Sequence, residues 1–175
     1  MRRVLLTAAA IIICFLLQST IFQWLSIASV SPNLLIVLTA AAGFMRGRRE
    51  GLLTGFFCGL LMDIMSGNVI GLFALLYTLT GYVNGLFKKS YYPEDIKLPV
   101  ASVILSDFLI NLVIYLISFL TRGRFSIGYY LYHLILPELV YTAVVAVFLY
   151  LILLKVNQKL EAFEQKNTAK FVSTE

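Results

Sequence analysis

Residues 4–25 form an unbroken apolar run without a single charged side chain. An α-helix rises 1.5 Å per residue, so roughly 20 residues cross the ~30 Å hydrocarbon core of a bilayer. Runs of the same kind recur at about 32–45, 51–65, 70–87, 98–120 and 137–154, which makes six expected spans. The first and fifth reach full length. The second and third, about 15 residues each, rely on snorkelling arginines, local thinning of the bilayer or burial among neighbours. A pair of re-entrant half-helices is the alternative there. The runs are continuous and lack the in-out alternation of a transmembrane β-barrel, whereas helices satisfy their own backbone groups in lipid. Composition agrees: 60% of the chain is hydrophobic, 13% is charged and the mean hydropathy is +0.89. A soluble domain of this size keeps too much surface to hide that apolar content. The expected fold is all-α, a polytopic transmembrane helical bundle over residues 1–154 followed by a tail at 155–175.

Charge placement sets an expected orientation. With both termini cytoplasmic, the inner segments are Met1–Arg3, Arg46–Glu50, Lys88–Lys97 and the tail from Lys155; together they hold twelve of the fourteen lysines and arginines. The outer segments carry Arg122 and Arg124, as the positive-inside rule requires. The net charge of +5 is thus a topology signal that also suits anionic lipid head groups. It is not interleaved with aromatics as a nucleic-acid site would be. Arg2 and Arg3 before an apolar run, with small residues near Ser26 and Ala28, mimic a secretory signal. The run is longer than a signal core and includes Gln18, Ser19 and Gln23, so it reads as a retained first helix. Cys14 and Cys58 fall inside spans and read as small packing residues. In the tail, Leu160 and Phe163 among Lys159, Glu161 and Glu164 suit a continuation of the sixth helix, with fraying beyond.

Small residues supply the packing signal. Gly51, Gly55 and Gly59 share one face of the third span, and Gly81 and Gly85 repeat that spacing on the fourth. Such spacing lets helix backbones approach closely in lipid, either within the chain or against another subunit. Three acids fall inside apolar runs, where a carboxylate is costly. Asp63, just before Ser66, Gly67 and Asn68, is placed to cap a turn through backbone N–H groups or to face water. Glu138 follows Pro137 and suits the first turn of a helix, where proline loses no hydrogen bond and the dipole favours negative charge. Asp107, with Asn111 one turn later, is expected to meet polar groups of a neighbouring helix.

The loop before the sixth span gathers Phe125, Tyr129, Tyr130, Tyr132 and His133, and the loop before the fifth holds Tyr91, Tyr92 and Pro93. These suit an interfacial aromatic belt; the first group also suits a docking surface for a membrane or extracytoplasmic protein. No nucleophile elbow, zincin motif or phosphate loop occurs, and no lysine lies inside a span. An enzyme is therefore not expected, and neither a metal, a cofactor nor a small-molecule substrate is called for.

One stretch is specific. Pro32-Asn33-Leu34-Leu35 opens the second span, a basic turn follows at Gly47, and the glycine ladder leads into Leu60-Leu61-Met62-Asp63. Gly67, Gly71, Leu75, Tyr77, Gly81 and Tyr82 come next, and Pro137-Glu138-Leu139-Val140-Tyr141-Thr142 opens the last span. In this ordered set the chain resembles the MreD family of bacterial rod shape-determining proteins. The resemblance implies a multi-pass protein of the bacterial plasma membrane, a non-enzymatic scaffold subunit of the cell-elongation machinery. Its implied partners are an MreC-like bitopic protein and, in the wider assembly, MreB, RodA and a class B penicillin-binding protein. It also implies a fold similar to the substrate-binding subunits of energy-coupling-factor transporters, so a vitamin-transporter subunit is the alternative function. The residues expected to shape the core or a partner interface are Pro32, Asn33, Gly51, Gly55, Gly59, Asp63, Gly67, Gly71, Tyr77, Gly81, Gly85, Glu138 and Tyr141.

Overall fold

The computed structural model describes residues 2–20, 32–66, 71–90, 97–122 and 136–172. Gly67, Tyr91, Tyr92 and Pro93, and the group Arg124, Phe125, Tyr129, Tyr130, Tyr132 and His133 lie outside them. The described residues form six α-helices: α1 (Arg2–Ser19), α2 (Leu34–Arg46), α3 (Arg48–Ser66), α4 (Leu72–Leu86), α5 (Lys97–Arg122) and α6 (Leu136–Val172), with a 3-10 turn at Phe87–Ser90. They follow the six apolar runs in order.

The helices pack around α2, which touches each of the other five. Every residue of α2 from Leu34 to Met45 is buried. Apolar on all sides, a helix of this kind belongs inside a bundle. Its small stretch Ala40-Ala41-Ala42-Gly43 admits neighbouring backbones. A single residue, Gly47, separates α2 from α3; its φ of +103° lies in the left-handed region, and its N–H donates to the Gly43 carbonyl at 2.8 Å. Glycine enters that region without steric cost and so ends the helix within one residue. The basic residues Arg48 and Arg49 consequently fall in the first turn of α3, ahead of the expected span.

The most extensive pairing joins α3 to α4. Gly55 lies against the backbone of Tyr77, Gly59 against that of Phe73 and Ala74, and Gly51 and Gly81 against each other. Gly43 of α2 joins the last pair, since a β-carbon there would stand 2.5 Å from the Gly81 carbonyl oxygen and 3.1 Å from the Gly85 nitrogen. Gly85 in turn packs on the Gly47–Arg48 backbone. The four-residue glycine spacing thus serves contact within the chain.

Outward faces are apolar. Leu105, Leu109, Leu112 and Leu116 form an exposed stripe on α5, as do Val140, Val144, Phe148 and Ile152 on α6. The segments Lys97–Ile117 and Leu136–Leu160 are long and apolar enough to cross a membrane, whereas α1, α2 and α4 are shorter apolar helices. Past the expected end of its span at residue 154, α6 continues unbroken to Val172, so the beginning of the expected tail is helical well beyond Phe163.

Adding a methyl group at Gly55 or Gly81 must push two backbones apart. Gly55→Ala and Gly81→Ala are each expected to lower stability by about 1–3 kcal/mol in SDS-titration unfolding followed by circular dichroism. Val140→Ala, on an outward face, should cost much less; equal losses at all three sites would refute the close-contact account.

Candidate functional site

Buried polar side chains collect at the two ends of α2 and at the start of α4. A helix leaves its first N–H and last C=O groups without partners, and α2 buries both ends. At its N-terminus Asn33 is the cap: its Oδ1 accepts from Ile36 N–H at 3.3 Å. The same oxygen accepts from the Tyr77 hydroxyl of α4 at 2.8 Å. Gln18 of α1 accepts the Leu35 N–H at 3.2 Å, and Thr142 of α6 accepts the Asn33 N–H at 3.2 Å. Four helices therefore contribute to one cap. Pro32 precedes it, fully buried, and being proline brings no N–H that would need a partner.

Beside this cap stand Asp107 and Glu138. Asp107 is fully buried, and its carboxyl approaches Asn33 and Thr142, although neither oxygen reaches hydrogen-bond geometry. Glu138 occupies the first turn of α6, close to Asn111 and to Asp107. The structure thus brings Asp107, Asn111 and Glu138 into one interior region with Asn33, Tyr77 and Thr142. Tyr141, on the same turn of α6 as Thr142, is only partly buried.

Asp63 forms a second centre. Its carboxylate accepts from the backbone N–H groups of Gly71 at 3.0 Å, Phe73 at 2.9 Å and Ala74 at 3.0 Å. A side chain of α3 thereby serves as the N-terminal cap of α4, where the helix dipole favours negative charge. This is the turn-capping role expected from its position. Gly71, with φ of +96°, supplies the left-handed residue that starts α4.

At the opposite end of α2, Arg46 is the hub. Its guanidinium donates to Asn157 Oδ1 of α6 at 3.0 Å and to Thr7 Oγ1 of α1 at 2.6 Å, and pairs with Glu50 of α3 at 3.4 Å. Its carbonyl accepts from Lys88 Nζ at 2.9 Å. Elsewhere Asn84 of α4 links to α5, donating to Ser106 Oγ at 3.0 Å and accepting from Ser102 Oγ. Neither Asn84 nor Asn157 stood out in the sequence; each lies on a helix face with a small or apolar residue four positions earlier, Thr80 or Leu153, which a local pattern cannot distinguish from ordinary polar surface.

Cys14 and Cys58 are buried free thiols. Among the described residues no group of three His, Cys, Asp or Glu is placed to hold a metal ion. The arrangement is one of caps and cross-links between helices, and it joins the ends of a buried helix to α1, α3, α4 and α6.

Two measurements probe these caps. Asp63→Asn offers one acceptor oxygen where three donors converge and is expected to lose about 1–3 kcal/mol of stability. Asn33→Ala combined with Tyr77→Phe should be non-additive, with a coupling of about 0.5–3 kcal/mol; strictly additive losses would show that the Tyr77–Asn33 bond contributes nothing.

A comparison with protein families places most of the chain in one of them: the family described as rod shape-determining protein MreD matches residues 1–160. No curated protein and no solved structure matches the chain.

Proposed function

We propose, from the premise that this chain belongs to the family of the rod shape-determining protein MreD, that it docks an MreC-like bitopic protein and links it to RodA, a class B penicillin-binding protein and the MreB filament. Membership itself makes the chain a non-enzymatic, polytopic protein of the inner membrane that acts in rod-shape determination during cell elongation. The family match over residues 1–160 is the observation that carries the reading, and it favours a scaffold over a vitamin-transporter subunit.

The geometry supports a scaffold in two ways. The ends of α2 and the start of α4 are tied by side chains from neighbouring helices, which fixes the relative positions of the outward faces. Those faces are apolar and uncharged over most of their length, so a partner helix would meet a preformed surface at little ordering cost. The orientation that fits this reading has both termini cytoplasmic, with Arg46, Arg48, Arg49 and Lys88 at the inner side.

The test is recovery of partners from native membranes in mild detergent, with an unrelated six-span protein as control. MreC-like protein, RodA or the transpeptidase should be enriched; enrichment of a transporter ATPase pair in their absence would overturn the proposal. Asp63→Asn and Glu138→Gln are expected to lower recovery of the MreC-like partner about tenfold, equivalent to ~1.4 kcal/mol, under conditions where circular dichroism shows both variants folded. Wild-type recovery with both would show that these acids do not shape the docking surface.

A further inference from the structure

The face of α3 turned away from α4 carries Arg49, Leu53, Phe57, Leu60 and Ile64 at intervals of three and four residues, which places them along one side of the helix. Leu53, Phe57 and Ile64 are exposed, as are Val4, Ala8 and Ile12 on the facing side of α1. Between these two rows runs a groove of about 590 Å³. It extends about 12 Å along α1, from Val4 to Ile12, and about 21 Å along α3, from Glu50 to Ile64. Toward its far end the two helices are tied by Gln18, whose Nε2 donates to the sulfur of Met62 at 3.5 Å.

Two observations say what fills it. The first is length. One leaflet of the hydrocarbon core measures about 15 Å, a value between the runs along α1 and α3, and the Gln18–Met62 contact closes the flank beyond, whereas a transmembrane partner helix needs an open flank over both leaflets. The second is charge. Arg49 is exposed one turn before Leu53 on the groove side of α3, and its long side chain suits a head group at the membrane surface. Glu50, which lines the same end, is already paired with Arg46 at 3.4 Å. Arg48 faces the other flank, 6.0 Å from the ring centre of Tyr82. The groove walls are apolar apart from Glu50 and two threonines, and Arg49 stands exposed beside the Glu50 end, one turn from the lining residue Leu53.

We propose that the α1–α3 groove is a binding site for an anionic glycerophospholipid, with one acyl chain between Ala8 and Phe57 and the phosphate on Arg49. The guanidinium pairs with the phosphate, and an uncompensated lipid charge adds the attraction that sets anionic lipids above zwitterionic ones.

The experiment is native mass spectrometry of the full chain in mild detergent, supplied with equimolar phosphatidylglycerol and phosphatidylethanolamine bearing the same acyl chains. The wild type should retain phosphatidylglycerol about fivefold over phosphatidylethanolamine, the factor expected of one basic residue at a membrane surface. Arg49→Gln should bring the ratio close to one, Arg48→Gln should leave it unchanged, and Ala8→Phe, which fills the groove, should reduce both adducts. A wild type without preference, a preference that survives Arg49→Gln, or adducts that survive Ala8→Phe would each overturn the proposal. So would a photo-crosslinker at Leu53 that captures a protein helix in native membranes. Because the readout uses the isolated chain, it is independent of whether MreC-like partners are recovered.

Discussion

Three helix backbones meet at Gly43, Gly51 and Gly81 with no side chain between them, and the remaining geometry follows from that contact. Lipid tails are as apolar as leucine, so burying leucine between helices gains little in a membrane; close packing and interhelical hydrogen bonds hold helices together instead. A glycine contact brings many backbone atoms of α2, α3 and α4 within van der Waals range. It also places α2 so deep that α1, α5 and α6 close over its other sides. The fully buried α2 is thus a consequence of where the three glycines stand.

An enclosed α2 creates a second requirement. With 13 residues it is about 20 Å long, shorter than the ~30 Å hydrocarbon core, so it cannot carry both ends to head-group water. At least one end must therefore be satisfied by protein. Asn33, Gln18, Tyr77 and Thr142 do this at one end, and Lys88 at the other, where Arg46 also recruits Asn157, Thr7 and Glu50. Interhelical hydrogen bonds in membranes contribute about 0.6 kcal/mol on average and up to about 1.7, so no single one is decisive. Their value lies in number and in direction: they fix rotation and height for helices whose apolar surfaces would otherwise slide.

The helices and the glycine faces were legible because both are periodic. Gly51, Gly55, Gly59, Gly81 and Gly85 repeat every fourth residue, and the apolar runs mark the helices around them. The cap at Asp63 was legible for a different reason, since the acid and the turn it serves are neighbours in sequence. What could not be read is the pairing of polar residues across long separations: Thr142 meets Asn33 across 109 positions and Arg46 meets Asn157 across 111. Gln18 registered as a polar blemish in an apolar run, yet it caps Leu35. Gly43 stands four residues before Gly47, the spacing of the ladder from Gly51, but on the other side of the helix break at Gly47. Arg46 read as a topology charge, and it also crosses three helix interfaces.

The three acids show how one residue type answers the cost of burial in different ways. Asp63 meets three backbone donors at the start of α4, so its charge is distributed over N–H groups that need an acceptor. Glu138 occupies the first turn of α6, where the helix dipole favours it, and has Asn111 beside it. Asp107 has neither a helix start nor a good hydrogen bond, and lies fully buried against the Asn33–Thr142 cap. It stands where α2, α5 and α6 converge, so any shift of α6 relative to α2 changes its surroundings first. The acid with the least local support is therefore the one most sensitive to how the helices are arranged.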